Sequence, residues 1–128
     1  MQSIELGKLG AVAVTRPRSY AAINDLCAEW VDTAGRAKLA RLCAAAVGMC
    51  WDHDKADKSP PRYSVEAADP VAYGGAVLDW LYRYKVSPAL VYPAGRELVE
   101  WLFGHIPTES EVSEVEDFTD AAPEALTG

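Results

Sequence analysis

The 128-residue chain carries only two histidines and three cysteines, and from Glu97 to its end it has no lysine or arginine. No apolar run approaches the ~20 residues needed to cross a bilayer, since the uncharged stretch Leu42 to Trp51 stops at ten. Each shortage excludes something. An odd number of cysteines cannot all pair within one chain. Cys27, Cys43 and Cys50 lie among helical apolar residues and read as small buried hydrophobes, which suits a reducing compartment. Lys8 and Arg16 bracket an apolar stretch of only LGAVAV, too short for a signal peptide, so folding in the cytoplasm is the simplest reading.

Catalytic equipment is equally sparse. His105 follows a helix-ending Gly104 and reads as a favourable charge near a helix C-terminus. His53 sits in a polar stretch with Asp52, Asp54 and Asp57. With Cys50 these residues match no strong metal-ligand spacing, and a solvated surface loop is the better account. Gly74-Gly75 lacks the lysine and the preceding strand of a phosphate loop. An enzyme is therefore not expected, nor a cofactor or a metal.

What the chain does have is apolar residues, 50% of the total, and a lopsided charge. Met1 to Arg96 holds 12 Lys and Arg against 10 Asp and Glu, whereas Glu97 to Gly128 holds nine acids and no base. An acidic end repels phosphate backbones, which argues against nucleic-acid binding.

The apolar residues fall into helical patterns. Ser19 is a suitable N-cap for a helix whose Ile23, Leu26, Cys27, Trp30 and Val31 share one face. Ala34 to Trp51 reads as a central helix, apolar all round in its second half and therefore in need of cover. Its thin Ala44-Ala45-Ala46-Gly48 face admits two accounts, packing inside the monomer or contact between subunits. Asp69-Pro70 is a cap followed by proline at the first helical position. Within that helix, Gly74-Gly75 implies either a neighbour packed on the backbone or a helix starting after the glycines. Val71, Val77, Leu78, Leu81, Tyr82 and Tyr84 cover most of its circumference, leaving Asp79 and Arg83 as a narrow charged strip. Ser87-Pro88 repeats the start signal, and Pro93 should kink or restart that helix. Leu98, Val99, Leu102 and Phe103 then face inward up to the capping Gly104 and the stop at Pro107.

At the N-terminus, Ile4 and Leu6 alternate with polar neighbours and Val12 and Val14 with alanines, around Gly7-Lys8-Leu9-Gly10. A small β-hairpin packed on the helices is compatible with this pattern. Thr108 and Glu111 form a capping box for a short acidic helix with a thin Val112, Val115, Phe118 seam. From Thr119 periodicity is lost, and residues 119–128 are expected to be a disordered tail. The expected fold is mostly α: one domain over residues 1–118, of four to five helices.

The second half has a further likeness. A glycine-containing apolar helix, YGGAVLDWL, precedes a proline-marked helix, PAGRELVEWLFGHIP, and the acidic ending TESEVSEVEDF. This order, together with the earlier AAAVGMCW, resembles the small tail assembly chaperones encoded among the tail genes of long-tailed bacteriophages. The resemblance implies a helical, non-enzymatic protein of the host cytoplasm that binds the tape-measure protein during tail assembly and can self-associate around it. It identifies no binding residues. Those offered from the residues alone are Trp80 and Tyr84, whose aromatic neighbourhood exceeds what a small core needs, and the seam Val112, Val115 and Phe118. The competing expectations are a permanent virion component, such as a tail-completion or connector subunit, and a small cytoplasmic regulator acting through protein contacts. Neither involves a membrane.

Overall fold

The computed structural model describes residues 2–17, 19–31, 36–64, 66 and 69–104. Its N-terminus forms an antiparallel hairpin of β1 (Ser3–Glu5) and β2 (Ala11–Ala13), with Ile4 opposite Val12. A 3-10 turn over Gly7–Leu9 joins them, entered and left by Gly7 and Gly10 at φ 55° and 69°. Both positions demand the left-handed conformation that glycine adopts without strain. Ile4, Leu6, Val12 and Val14 all point into the core, so the alternation follows the pleat.

Four helices follow among the described residues: α1 (Tyr20–Val31), α2 (Arg36–Cys50), α3 (Pro70–Arg83) and α4 (Pro88–Phe103). Their starts obey local chemistry. Ser19 Oγ accepts the amide of Ala22 at 3.3 Å. Asp69 accepts the amides of Val71 and Ala72 at 3.2 and 3.1 Å. Ser87 precedes Pro88 with an extended backbone, although its side chain makes no cap bond. Gly104 ends α4 with φ 81°, the left-handed cap that its position called for.

The centre of the molecule is α2. Every residue from Leu42 to Trp51 is buried, because α3 and α4 both pack on this helix and scarcely on one another, while α1 touches it less extensively. Glycines permit the close approach. A β-carbon at Gly74 of α3 would overlap the carbonyl of Arg41, and one at Gly95 of α4 would overlap the backbone of Cys43. Two residues on a helix are separated by ~200°, so the two glycine contacts grip α2 from nearly opposite sides. Subunit contact through the Ala44–Ala46 face is thereby excluded as that face's role, for α2's small residues are already covered within one chain. Gly74-Gly75 likewise lies inside α3, so the helix does not start after the glycines.

The end of α2 is joined to the hairpin. Val14 bridges Trp51, the amide of Thr15 donates to the carbonyl of Cys50 at 2.7 Å, and the amide of Asp52 donates to the carbonyl of Ala13 at 3.0 Å. One of the carbonyls left over at a helix C-terminus thus finds its donor in the segment just after β2. This pairing is what holds a two-stranded sheet that would be marginal alone.

Of the two outcomes expected at Pro93, a restart does not occur, for α4 runs unbroken from Pro88 to Phe103. Pro93 and Ala89, the residue whose carbonyl loses a partner, are both exposed. Water can therefore serve the freed carbonyl, and the usual cost of proline is softened. The short acidic helix, its seam and residues 119–128 lie outside the described residues, as do His105, Ile106 and Pro107.

Candidate functional site

Trp80 and Tyr84, one turn apart on α3, stand on the same face and pack together with ring centroids 4.8 Å apart. Trp51, at the end of α2, meets Trp80 edge-on at 5.4 Å. The Trp51 indole donates from Nε1 to the carbonyl of Lys58 at 2.9 Å, and the Lys58 ammonium lies 4.8 Å from the centre of the Tyr84 ring. Both partner-binding candidates in the described residues are therefore half-buried members of one stack. Edge-to-face rings and a cation over an aromatic face each favour such a stack beyond the area it buries. Val112, Val115 and Phe118 lie outside the described residues.

The polar connection from Asp52 to Arg62 is more firmly held than its composition suggests. The carboxylate of Asp52 accepts the amides of Asp54 and Lys55 at 3.1 and 3.2 Å, closing an Asx turn. Tyr73 donates its hydroxyl to the carbonyl of Pro61 at 2.8 Å, and Pro60 is buried. Just beyond, Tyr63 donates to Asp25 of α1 at 2.8 Å and meets the Tyr73 ring at 5.1 Å. The segment is a strap from the end of α2 across α1 and α3, its charged side chains facing water. Sequence reasoning saw the charges and missed the tyrosines that anchor it.

Two open clefts flank this strap. One, about 300 Å³, is bordered by Arg16, Ser19, Asp52, His53, Asp54 and Arg62. Two arginines face two carboxylates, so its charges nearly cancel. Partial burial and the Arg62 charge hold the His53 pKa below its ordinary value, against the pull of Asp54 and Asp52. Ser19 Oγ is already used as a cap and Asp52 in its own turn. Arg16 turns away toward α4, with its guanidinium 4.8 Å from the Trp101 ring centre and a 3.3 Å bond to the Trp101 carbonyl. The second cleft, about 360 Å³, runs beside β2 and is bordered by Lys8, Leu9, Ala11, Lys55, Asp57 and Lys58 among others.

All three cysteines are buried. Loss of solvation pushes the Cys43 and Cys50 thiols up to about 12, against the lowering effects of Arg96 and Arg16 respectively. A thiol so held is protonated at neutral pH and is a poor nucleophile or metal ligand. Among the described residues no group of three His, Cys, Asp or Glu is placed to hold a metal ion, and no helix is long and apolar enough to cross a membrane.

Those thiols carry a pH dependence of known sign. A free thiol titrates near pH ~8.5, and the folded value is higher. The folded state therefore keeps its protons where the unfolded chain releases them. Stability is fully present below about pH 8 and declines as the pH rises toward the folded value. Desolvation raises Tyr63 and Tyr73 too, with the Asp25 hydrogen bond adding to the shift at Tyr63, and they steepen the same decline. The urea midpoint is expected to fall steadily between about pH 8 and pH 11, and less steeply in Cys43→Ala/Cys50→Ala. A midpoint that stays flat over this range would contradict the assignment.

Outside the core, three large hydrophobic side chains among the described residues remain exposed: Tyr82 at 74%, Tyr20 at 52% and Leu90 at 42%. Tyr82 is expected from the sequence to add to the apolar cover of α3, yet the structure turns it to solvent. Its signal was legible, since residues 79, 82 and 83 share the side of the helix that bears Asp79 and Arg83. An aromatic on the charged strip is surplus to the core. Comparison with known protein families, with curated proteins and with solved structures finds no match to this chain.

Proposed function

We propose that the chain is a non-enzymatic protein-binding module of the host cytoplasm, and that its client is the tape-measure protein of a long-tailed bacteriophage, bound during tail assembly. The observation that carries the binding reading is the contrast between a closed core and the large apolar groups left outside it. Tyr82 and Leu90 are exposed on α3 and α4, while Trp80 and Tyr84 are half-buried. Aromatic side chains offer much contact area at small entropic cost, and partner surfaces are enriched in them. A helical client laid against either helix would cover the exposed apolar group that helix carries. The order of apolar, proline-marked and acidic segments in the second half supports the phage assignment, through its resemblance to tail assembly chaperones.

The test is co-expression with a tape-measure protein of a long-tailed bacteriophage from the same genome, followed by affinity capture and sizing. A complex is expected, and Tyr82→Ser/Leu90→Ser should weaken it at least tenfold without changing the urea midpoint. Presence of the chain in purified particles would favour a permanent virion subunit instead. Failure to form any complex would overturn the chaperone reading.

A further inference from the structure

We infer that the lysine-lined cleft beside β2 holds this chain's own acidic segment, Glu109 to Asp117. Lys8, Lys55 and Lys58 border that cleft against a single acid, Asp57, and all three lysines are exposed, Lys58 with its ammonium beside the Tyr84 ring. Between them lie Leu9, Ala11 and Ala56, a narrow apolar floor. The cleft also follows an open strand edge. Leu6 and Val14 donate backbone bonds across the hairpin to Gly10 and Gln2, so the amide and carbonyl of Ala11, on the alternate register, point away from β1.

Charge selects the occupant. Residues 105–128 carry seven acids and no lysine or arginine, whereas the chain before them carries all 12 lysines and arginines. The segment TESEVSEVED brings five acids together with Val112 and Val115, matching lysines set around an apolar floor. The other cleft, where two arginines face two carboxylates, offers no such net attraction.

Reach permits it. The hairpin lies along α4: a β-carbon at Gly7 would sit 2.8 Å from Leu90 Cδ1, and Arg16 bonds the carbonyl of Trp101. The distance back from the end of α4 to the hairpin turn is therefore about that between residues 101 and 90, roughly 17 Å at the helical rise. Five extended residues span up to ~17 Å, enough for the first acid, Glu109, to reach the hairpin turn that carries Lys8. Docking there needs no particular client.

The experiment uses the full chain at low protein concentration and low ionic strength, with a carbodiimide that joins carboxylates to amines in contact. Cross-links are expected within the monomer between residues 109–117 and Lys8, Lys55 or Lys58, and they should fade in high salt as the pairs are screened. Links confined to other lysines, or links joining two copies, would overturn the inference. As a second readout, Lys8→Gln/Lys55→Gln/Lys58→Gln should speed cleavage after residues 109–116 by a glutamate-specific protease several-fold. Arg83→Gln/Arg96→Gln should leave that rate unchanged. Equal rates in the two variants would also overturn it.

Discussion

Gly74→Ala is expected to destabilise the protein by about 3 kcal/mol, while Gly75→Ala, one residue along the same helix, is expected to stabilise it by about 0.5–1 kcal/mol. The two substitutions share their chemistry. Each replaces a helical glycine by alanine and restricts the unfolded chain equally, a change that favours folding wherever the added methyl finds room. What differs is the neighbour. At Gly74 the new methyl would run into the main-chain carbonyl of Arg41, which cannot move without moving α2. At Gly75 the nearest atom outside the helix is Nε of the Arg41 side chain, at 3.9 Å, an ordinary contact. Urea unfolding of the two variants measures the difference as midpoints displaced in opposite directions. Midpoints that move the same way would mean that α3 does not approach α2 through Gly74.

Ala45→Leu is expected to cost about 3 kcal/mol, near the upper end for overpacking a closed core. Ala44, Ala45 and Ala46 have no accessible surface, and their neighbours Leu42, Cys43, Val47 and Cys50 have none either. Three added carbons have no void to enter, and interiors packed at crystal density yield only through displaced backbone or strained rotamers. Ala89→Leu, on the exposed side of α4, provides the comparison and should change stability by less than about 0.5 kcal/mol. The readouts are a urea midpoint and a sizing profile. A monomer that tolerates Ala45→Leu while an assembly fails would assign the small-residue face to a subunit contact.

These two substitutions also mark where reading the sequence stops. The glycine pair in α3 implies a close neighbour or a late helix start, two accounts that local propensity cannot separate. Only the position of α2 shows that Gly74 is the contact and Gly75 a bystander. Likewise the apolar circumference of Leu42 to Trp51 demands cover, but the demand is met equally by another helix of the same chain or by a second subunit. Pro93 shows the opposite limit: a proline usually disrupts a helix, yet on an exposed face water can serve the carbonyl that it frees.

The candidate site divides in the same way. Trp80 and Tyr84 stood out because a small core has no need of so many aromatics. Their packing on Trp51 and beneath Lys58 depends on residues distant in sequence, and so does the strap's attachment through Tyr63 and Tyr73. The lysines at 8, 55 and 58 are unremarkable along the chain. They become one cleft only when the hairpin joins the end of α2.

By itself, the sequence determined most of the elements and several of their ends: the glycines of the hairpin turn, the caps at Ser19 and Asp69, the stop at Gly104, and the apolar stripes between them. Those features rest on dihedral preferences and hydrogen bonds acting within a few residues. The tertiary structure alone decided which apolar faces are covered, which glycines touch a backbone and which charges become neighbours. Cover and close approach are relations between surfaces, and folding settles them only when all the elements are packed together.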